Sequence, residues 1–528
     1  MSDTFIKSGN PQIDALFPRV KAFLQKDVTD YDMFGARVRG YRTPDAPSVW
    51  IRDNPDMMRA YKYWERDMKS LVDHFADTQS AKGWVFDYFT MTPEKTPCEK
   101  ENWAKYVRVP TEADVEFRFV KAGYLAWQAT GDDRWLRKLL PHMEKALHYV
   151  LTDPWRWDPK TKLVKRGLTI DTWDFDYTAG CHPWLNFQIT DHTFWGIMHG
   201  DSSGYYEAFL NMSKLYGWLR DYRRSQFWRR FAEGYRKRAN KVSFNGRFYT
   251  HHVPLVPRKI EGVDESEQLS LSNPMDINRG LPTHDMAVSI IQEYQRRRAT
   301  TNAFAEWFSI DPPFPAGIFG DEKLIAGAYC NGGIMPLVGG ELARAAFEHG
   351  FEEFGVETLL RYEELSRDNE SYLWYFPDGR HATVETSTSP DASPTDGWGS
   401  SAMVYALMEG LAGVEDERKL YQSVRLSPRW VAAGLKDAAV CCVYGASGAS
   451  MEYRFSNDAS RKLIELELRG SAQVDLHLLL PHGTVAGEIR MNGKQVKFHN
   501  TTVKKSRYVD AVFPLGQKSS VLIKYKDK

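Results

Sequence analysis

The sequence predicts a mainly α chain of repeated αα-hairpins followed by a C-terminal antiparallel β-sandwich. Three observations carry this. From about residue 56 to 415, apolar residues recur at the three- and four-residue spacing of amphipathic helices. The helical stretches come in pairs joined by short turns such as Gly131-Asp132, while the other connections are long and rich in Trp, Asp and Pro. After about residue 418 the texture changes to short, partly alternating runs broken by Gly, Asn and Pro.

In chain order, residues 1–40 read as a lead-in helix and then a strand-like run, Gly35 to Arg39. Residues 41–418 form the helical region. It begins with MMRAYKYWERDMKSLVDHFADT and continues with the pair ADVEFRFVKAGYLAWQATG and DRWLRKLLPHMEKALHYVLTD. SGYYEAFLNMSKLYGWLRDY, SQFWRRFAEGYRKRANKV, HDMAVSIIQEYQRRR, GELARAAFEHG, EEFGVETLLRYEELSR and GSSAMVYALMEGLAG follow, many of them ended by Gly or Asp. An α-solenoid would also stack such hairpins, but its loops are short and these are long. Residues 419–528 form the β region. There Met491-Asn492-Gly493-Lys494 has the Asn-Gly of a type I′ hairpin turn.

Composition narrows the function. The 528 residues carry 69 Lys plus Arg against 69 Asp plus Glu, for a net charge of zero. A balanced chain has no general pull on nucleic acid or an anionic membrane. No apolar run reaches the length of a membrane span. The start, MSDTFIKSGNPQIDALF, lacks a basic-then-apolar signal pattern, so a cytoplasmic location is expected. Five cysteines without a CxxC pair read as buried free thiols. Aromatic residues are abundant, at 13% with 17 Trp. Several sit beside acids in polar stretches, and a flat ring next to a carboxylate suits a sugar, which has an apolar C–H face and a rim of hydroxyls.

No phosphate-cradling glycine motif or HExxH occurs, so neither a cofactor nor a metal is expected. Cys181, His182, Asp191, His192, His199 and Asp201 include metal-ligating types, but their spacing fits no standard site. Three acid-and-tryptophan segments stand out instead. Trp50-Ile51-Arg52-Asp53 precedes the first strong helix, and an Arg-Asp pair can donate to and accept from adjacent hydroxyls. Asp171, Trp173, Asp174 and Asp176 crowd one interhelical loop, where packed acids and aromatic walls favour a carboxyl that stays protonated near neutrality. Glu385 lies among small polar residues able to hold a water, followed by Asp396, Gly397 and Trp398 at the head of the last helix.

These segments resemble those of the six-hairpin, or (α/α)6-barrel, glycosidases: glucoamylases, trehalases and processing α-glucosidases. VWIRDNPDM resembles the Trp-x-Arg-Asp segment of glucoamylases, which implies that Arg52 and Asp53 hold the terminal sugar. DTWDF resembles the Gly-Trp-Asp-Phe segment of trehalases, which implies that Asp174 is the general acid. VETSTSPDASPTDGWGSS resembles the stretch in which a Val-Glu pair precedes Gly-Trp, which implies that Glu385 is the general base. The family's Gly is Thr172 here, and its Glu-Tyr-x-x-Gln segment is missing, which argues against trehalose itself.

The resemblance implies an (α/α)6 toroid and the inverting hydrolysis of an oligo- or polysaccharide, exo-acting, with carbohydrate as the partner. Asp174 would protonate the glycosidic oxygen and Glu385 would deprotonate the attacking water. Trp50, Arg52, Asp53, Asp171, Trp173, Asp396 and Trp398 would line the substrate site. A polysaccharide lyase of α-toroid type stays open through Tyr177, His182, His192 and His199. A phosphorylase would need a phosphate site in place of the Glu385 base. A non-catalytic carbohydrate-binding protein would explain the tryptophans but not the paired acid-rich segments.

Overall fold

The computed structural model describes residues 3–33, 35–41, 48–90, 106–173, 177, 189–368, 370–383, 385–386, 394 and 396–528. Among these residues there are twelve α-helices: α1 (Pro11–Lys26), α2 (Asn54–Tyr61), α3 (Ser70–Asp77), α4 (Val115–Thr130), α5 (Asp133–Thr152), α6 (His199–Trp218), α7 (Tyr222–Ser243), α8 (Ser272–Asn278), α9 (His284–Ala299), α10 (Pro336–Glu348), α11 (Glu352–Leu365) and α12 (Gly397–Tyr405).

The helices alternate between two environments, and burial shows why. Every residue of α2 is buried, and in α4 only Thr130 escapes. Helices apolar or buried all round belong inside. By contrast, α7 buries Trp228, Ala232, Tyr235, Ala239 and Ser243, one stripe at helical spacing with a basic opposite face. The even-numbered helices pack in succession, α2 on α4, then α6, α8, α10 and α12, and α12 returns to α2. The odd-numbered helices pack outside this closed succession: α3 and α5 on α4, α7 on α6, α9 on α8 and α10, α11 on α10, and α1 on α11 and α12.

Local chemistry sets the helix starts. Asn10 accepts from Gln12 and Ile13 N–H, Asp132 from Arg134 and Trp135, Thr283 from Met286, and Asp396 from Trp398 and Gly399. Pro55 and Pro336 occupy the first turns of α2 and α10, where a missing N–H costs nothing. α4 ends at Gly131, whose φ of 70° is left-handed, and the short turn to α5 follows.

The C-terminal region holds two sheets. One has seven strands in the order Phe5–Lys7, Asp437–Val443, Ser450–Asp458, Leu463–Arg469, Lys518–Asp527, Thr484–Met491 and Lys494–Gln495. The other orders Val414–Asp416, Ser423–Leu426, Gln473–Leu479, Ser506–Pro514 and His499–Val503. Strands alternate buried and exposed residues, as in Leu463–Arg469 with Ile464, Leu466 and Leu468 inward.

Two features depart from expectation. The strands Ser423–Leu426 and Gln473–Leu479 run parallel, so the β region is not wholly antiparallel. Phe5–Lys7 pairs with Ala439–Cys441, so the N-terminal segment expected as a lead-in also contributes a strand to this sheet. The predicted Asn492-Gly493 turn is present: Asn492 and Gly493 have φ of 49° and 81°, and Met491 pairs with Lys494. Cys330, Cys441 and Cys442 are buried, Cys441 and Cys442 as free thiols, while Cys98 and Cys181 lie outside the described residues. Among the described residues no helix is long and apolar enough to cross a membrane.

Candidate active site

The N-terminal ends of α2, α4, α6, α8 and α12 are tied to one another by buried polar contacts, and Trp50 to Asp53, Asp171 and Asp396 to Trp398, from the segments singled out above, lie at or against these ends. Arg52, just before α2, is 8% exposed. Its Nε lies 3.4 Å from Asp114 Oδ2 and its Nη1 3.5 Å from Glu112 Oε1, both just before α4. Its guanidinium also sits over the Trp50 ring at 5.9 Å, and Trp50 packs on Tyr88 at 4.0 Å between centroids. Burial penalises the Asp114 carboxylate, but Arg52, Arg118 and Arg166 outweigh it and hold its pKa at about 2. Asp53 is half-buried at the N-cap of α2 without capping it by its side chain.

The ties continue around the ring. Arg166 pairs with Glu112 and, at 3.3 Å, with Asp201 in the first turn of α6. All three are sealed from solvent. Burial raises the Asp201 pKa to about 6 despite Arg166. Asp171 adopts a left-handed φ of 47°, a conformation that Asp tolerates better than most residues. Its carboxylate accepts from Ser272 Oγ at 2.5 Å and Ser272 N–H at 3.3 Å, at the start of α8. Its own N–H donates to His251 Nε2 at 2.8 Å, so that nitrogen carries no proton. Burial, which drops the His251 pKa to about 3, fits that neutral ring. His199 bridges Asp276 at 2.5 Å and Ser270 Oγ at 2.9 Å, fully buried.

From this anchored turn Trp173 reaches across the ring. Its indole lies 5.5 Å from that of Trp398 at the head of α12 and 5.5 Å from the ring of Tyr329. Trp398 Nε1–H donates to Asp56 Oδ2 of α2 at 3.1 Å. Asp56 is fully buried, and although burial opposes its charge, Arg118, Lys121 and Arg59 hold its pKa far below the usual carboxylate range. Trp50, Arg52, Asp396 and Trp398 are thus placed at the N-terminal ends of α2 and α12, where Trp173 packs on Trp398, with an aromatic wall beside a charged floor.

Two of the predicted side chains are committed to the protein. Asp171 is fully buried and holds its own turn, and Asp396 is spent capping α12. Glu385 is exposed; its own backbone N–H and the Thr383 hydroxyl lower its pKa, so it is a carboxylate at neutral pH. Asp174 and Asp176 lie outside the described residues, as does His182. Sequence reasoning missed Asp56, Glu112, Asp114 and Arg166. A signal existed in PTEADVEF, where acids crowd the start of an apolar helix.

The opposite, C-terminal ends of these helices surround a cavity of about 460 Å³. Its walls are self-neutralising: Lys62 pairs with Glu409 at 2.7 Å and Lys121 with Glu207 at 3.4 Å. No group of three His, Cys, Asp or Glu among the described residues could hold a metal ion.

Between 74% and 100% of the chain superposes on solved glycosidases. Alpha-L-rhamnosidase from Dictyoglumus thermophilum matches with a TM-score of 0.58 and 12% identity, over 100% of this chain and 50% of that one. The GH78 family rhamnosidase of Bacillus sp. GL1 gives 0.60 and 14%, over 90% and 43%. The chain shares their fold. GH63 mannosylglycerate hydrolase from Thermus thermophilus, in complex with glucose, gives 0.51 and 14%, over 74% of this chain and 99% of that one. The chain therefore spans about half the length of the rhamnosidases it matches. No family model matches it, and no curated protein matches it in sequence.

Proposed function

We propose that the chain is an exo-acting glycoside hydrolase that cleaves an oligo- or polysaccharide with inversion. In this reading residues 41–418 form an (α/α)6 toroid with the active site at the N-terminal ends of its inner helices, and residues 419–528 a β-sandwich appended to it. The observation that carries the reading is the contact of Trp173 with Trp398, beside Asp56. It joins the segment preceding Asp174 to the segment following Glu385. The likeness of fold to rhamnosidases and to a mannosylglycerate hydrolase supports the reaction class.

The roles follow from chemistry. Asp174, which follows Trp173 in the sequence, donates its proton to the glycosidic oxygen. Glu385, kept ionised, removes a proton from the water that attacks the anomeric carbon on the other face. With a water between sugar and base, the two carboxyls stand about 6.5–9.5 Å apart. Trp50, Trp173 and Trp398 offer faces to the sugar, while Arg52 and Asp53 bind its hydroxyls. Asp171 and Asp396 act as positioning residues, one for the acid-bearing turn and one for the helix that displays Trp398. His199, sealed between Asp276 and Ser270, is no candidate for abstracting a proton from substrate.

A panel of nitrophenyl glycosides and natural oligosaccharides tests the reading, with the first-formed anomer followed by NMR. Release of sugar with inverted configuration is expected. An unsaturated product absorbing in the near ultraviolet, or turnover that requires phosphate, would replace hydrolysis by elimination or phosphorolysis.

A further inference from the structure

A second aromatic surface lies outside the ring. Trp155, just after α5, is 54% exposed. Its backbone is held: its N–H donates to Asp153 Oδ1 at 2.8 Å, and Arg156 and Trp157 N–H both donate to Asp153 O. The ring is therefore displayed on an ordered turn.

Facing it is a compact turn. Thr190 N–H donates to Thr193 Oγ1 at 3.0 Å, His192 N–H to Thr190 Oγ1 at 3.1 Å, and Thr193 N–H to Thr190 O at 3.1 Å. This pushes Asp191 and His192 into solvent. Trp195 follows, half-buried, in a strand paired with Gly167, and the Lys165 ammonium sits 4.9 Å from its ring. Trp155, the turn from Thr190 to Thr193 and Trp195 line a depression of about 560 Å³, within the range of small-molecule sites of about 300–1,000 Å³.

We propose that this depression is a saccharide-binding subsite, which takes one pyranose unit of a longer chain away from the bond that is cut. The chemistry selects a sugar. An indole face meets the apolar C–H face of a pyranose, while the Asp191 carboxylate and the neighbouring threonine turn meet its hydroxyls. A nucleic acid would call for several cations, and beside this lining stands Lys165, on the Trp195 ring, with no Lys or Arg in the lining itself. The depression also adjoins the acid-bearing loop. Phe194, between Thr193 and Trp195, stacks on Tyr177 at 5.6 Å, and Tyr177 N–H donates to Leu168 O, just after the strand Arg166–Gly167 and three residues before Asp171. The link to the cleaved chain rests on the glycosidase reading; the binding of a saccharide does not.

The test uses the full chain, with Trp155→Ala, Trp155→Phe and Asp191→Asn as variants. Malto-, cello-, xylo- and manno-oligosaccharides of two to six units serve as probes for calorimetric binding, and nitrophenyl glycosides for turnover. At least one series binds. Trp155→Ala weakens it about two- to tenfold, the usual worth of one aromatic stack, and Trp155→Phe restores most of the loss. Nitrophenyl glycoside turnover and melting temperature stay at wild-type values. Binding that depends on Trp155 without any turnover supports the subsite and sinks the hydrolase reading. Turnover with binding indifferent to both Trp155 and Asp191, or no binding in any series, overturns the subsite.

Discussion

The indoles of Trp173 and Trp398 meet at 5.5 Å although they come from different halves of the chain. One stands on a turn locked by Asp171, the other on a helix capped by Asp396, and Trp398 also bonds to Asp56 on a third element. Trp173, Trp398 and Asp56, from three separate segments, thereby share one wall.

Replacing Trp398 tests that wall. Trp398→Phe keeps a ring but strips Asp56 of a donor, while Trp398→Ala removes both. We expect a modest loss of stability for Phe, about 1 kcal/mol, and a larger one for Ala. kcat/KM on a cleaved glycoside should fall in both, further in Ala. Thermal melts and steady-state kinetics check this; an unchanged kcat/KM in Trp398→Ala would remove Trp398 from the substrate site.

Arg52 neutralises two buried carboxylates. Arg52→Ala leaves Glu112 to Arg166 and Asp114 to Arg118, with one cation fewer for the buried carboxylates, and should cost up to about 3–5 kcal/mol. Arg52→Lys retains charge but not the forked donor geometry, and should recover only part of the loss. Chemical denaturation gives both values.

Asp87 supplies a pH dependence. Burial raises its pKa to about 7 against the pull of Arg108 and Arg52, and its Oδ1 has no hydrogen-bond partner among the described residues. A carboxyl whose pKa is higher in the folded than in the unfolded state favours folding when protonated. That stabilisation is complete below the unfolded value near 4 and is lost as pH rises towards 7. The total is on the order of 4 kcal/mol. Asp87→Asn, neutral at every pH, should flatten the fall in stability between pH 4 and 7, as read by melts across that range.

The far end of the helix ring should matter for stability and not for chemistry. Lys62 and Glu409 pair at 2.7 Å with side-chain exposures of 4% and 10%. Glu409→Ala leaves a buried ammonium and should cost about 3–5 kcal/mol, while kcat of the folded enzyme at low temperature stays as in wild type. A fall in kcat would mean that the two ends communicate.

Much of the helical region could be read from its residues. ADVEFRFVKAGYLAWQATG became α4, ended by Gly131 as its left-handed φ requires, and Asn492-Gly493 formed its turn. Periodicity reports which face of a segment is apolar, so it says nothing of partners far along the chain. That is why the pairing of Phe5–Lys7 with Ala439–Cys441 and the parallel contact of Ser423–Leu426 with Gln473–Leu479 were not foreseen. The ionic floor was hidden for a related reason. Glu112, Asp114 and Arg166 look like surface residues in a local window, and only the closed packing of α2, α4 and α6 turns them inward to neutralise one another. The three tryptophan segments were visible because aromatic rings beside acids are uncommon in any loop.

The account stands or falls on the two proposed catalytic carboxyls. Asp174→Asn and Glu385→Gln should each fold like wild type, and each should lower kcat on the best nitrophenyl glycoside by about 10²–10⁴-fold. Turnover near the wild-type rate in either variant would contradict the assignment of that residue, and in both would remove the acid–base pair altogether.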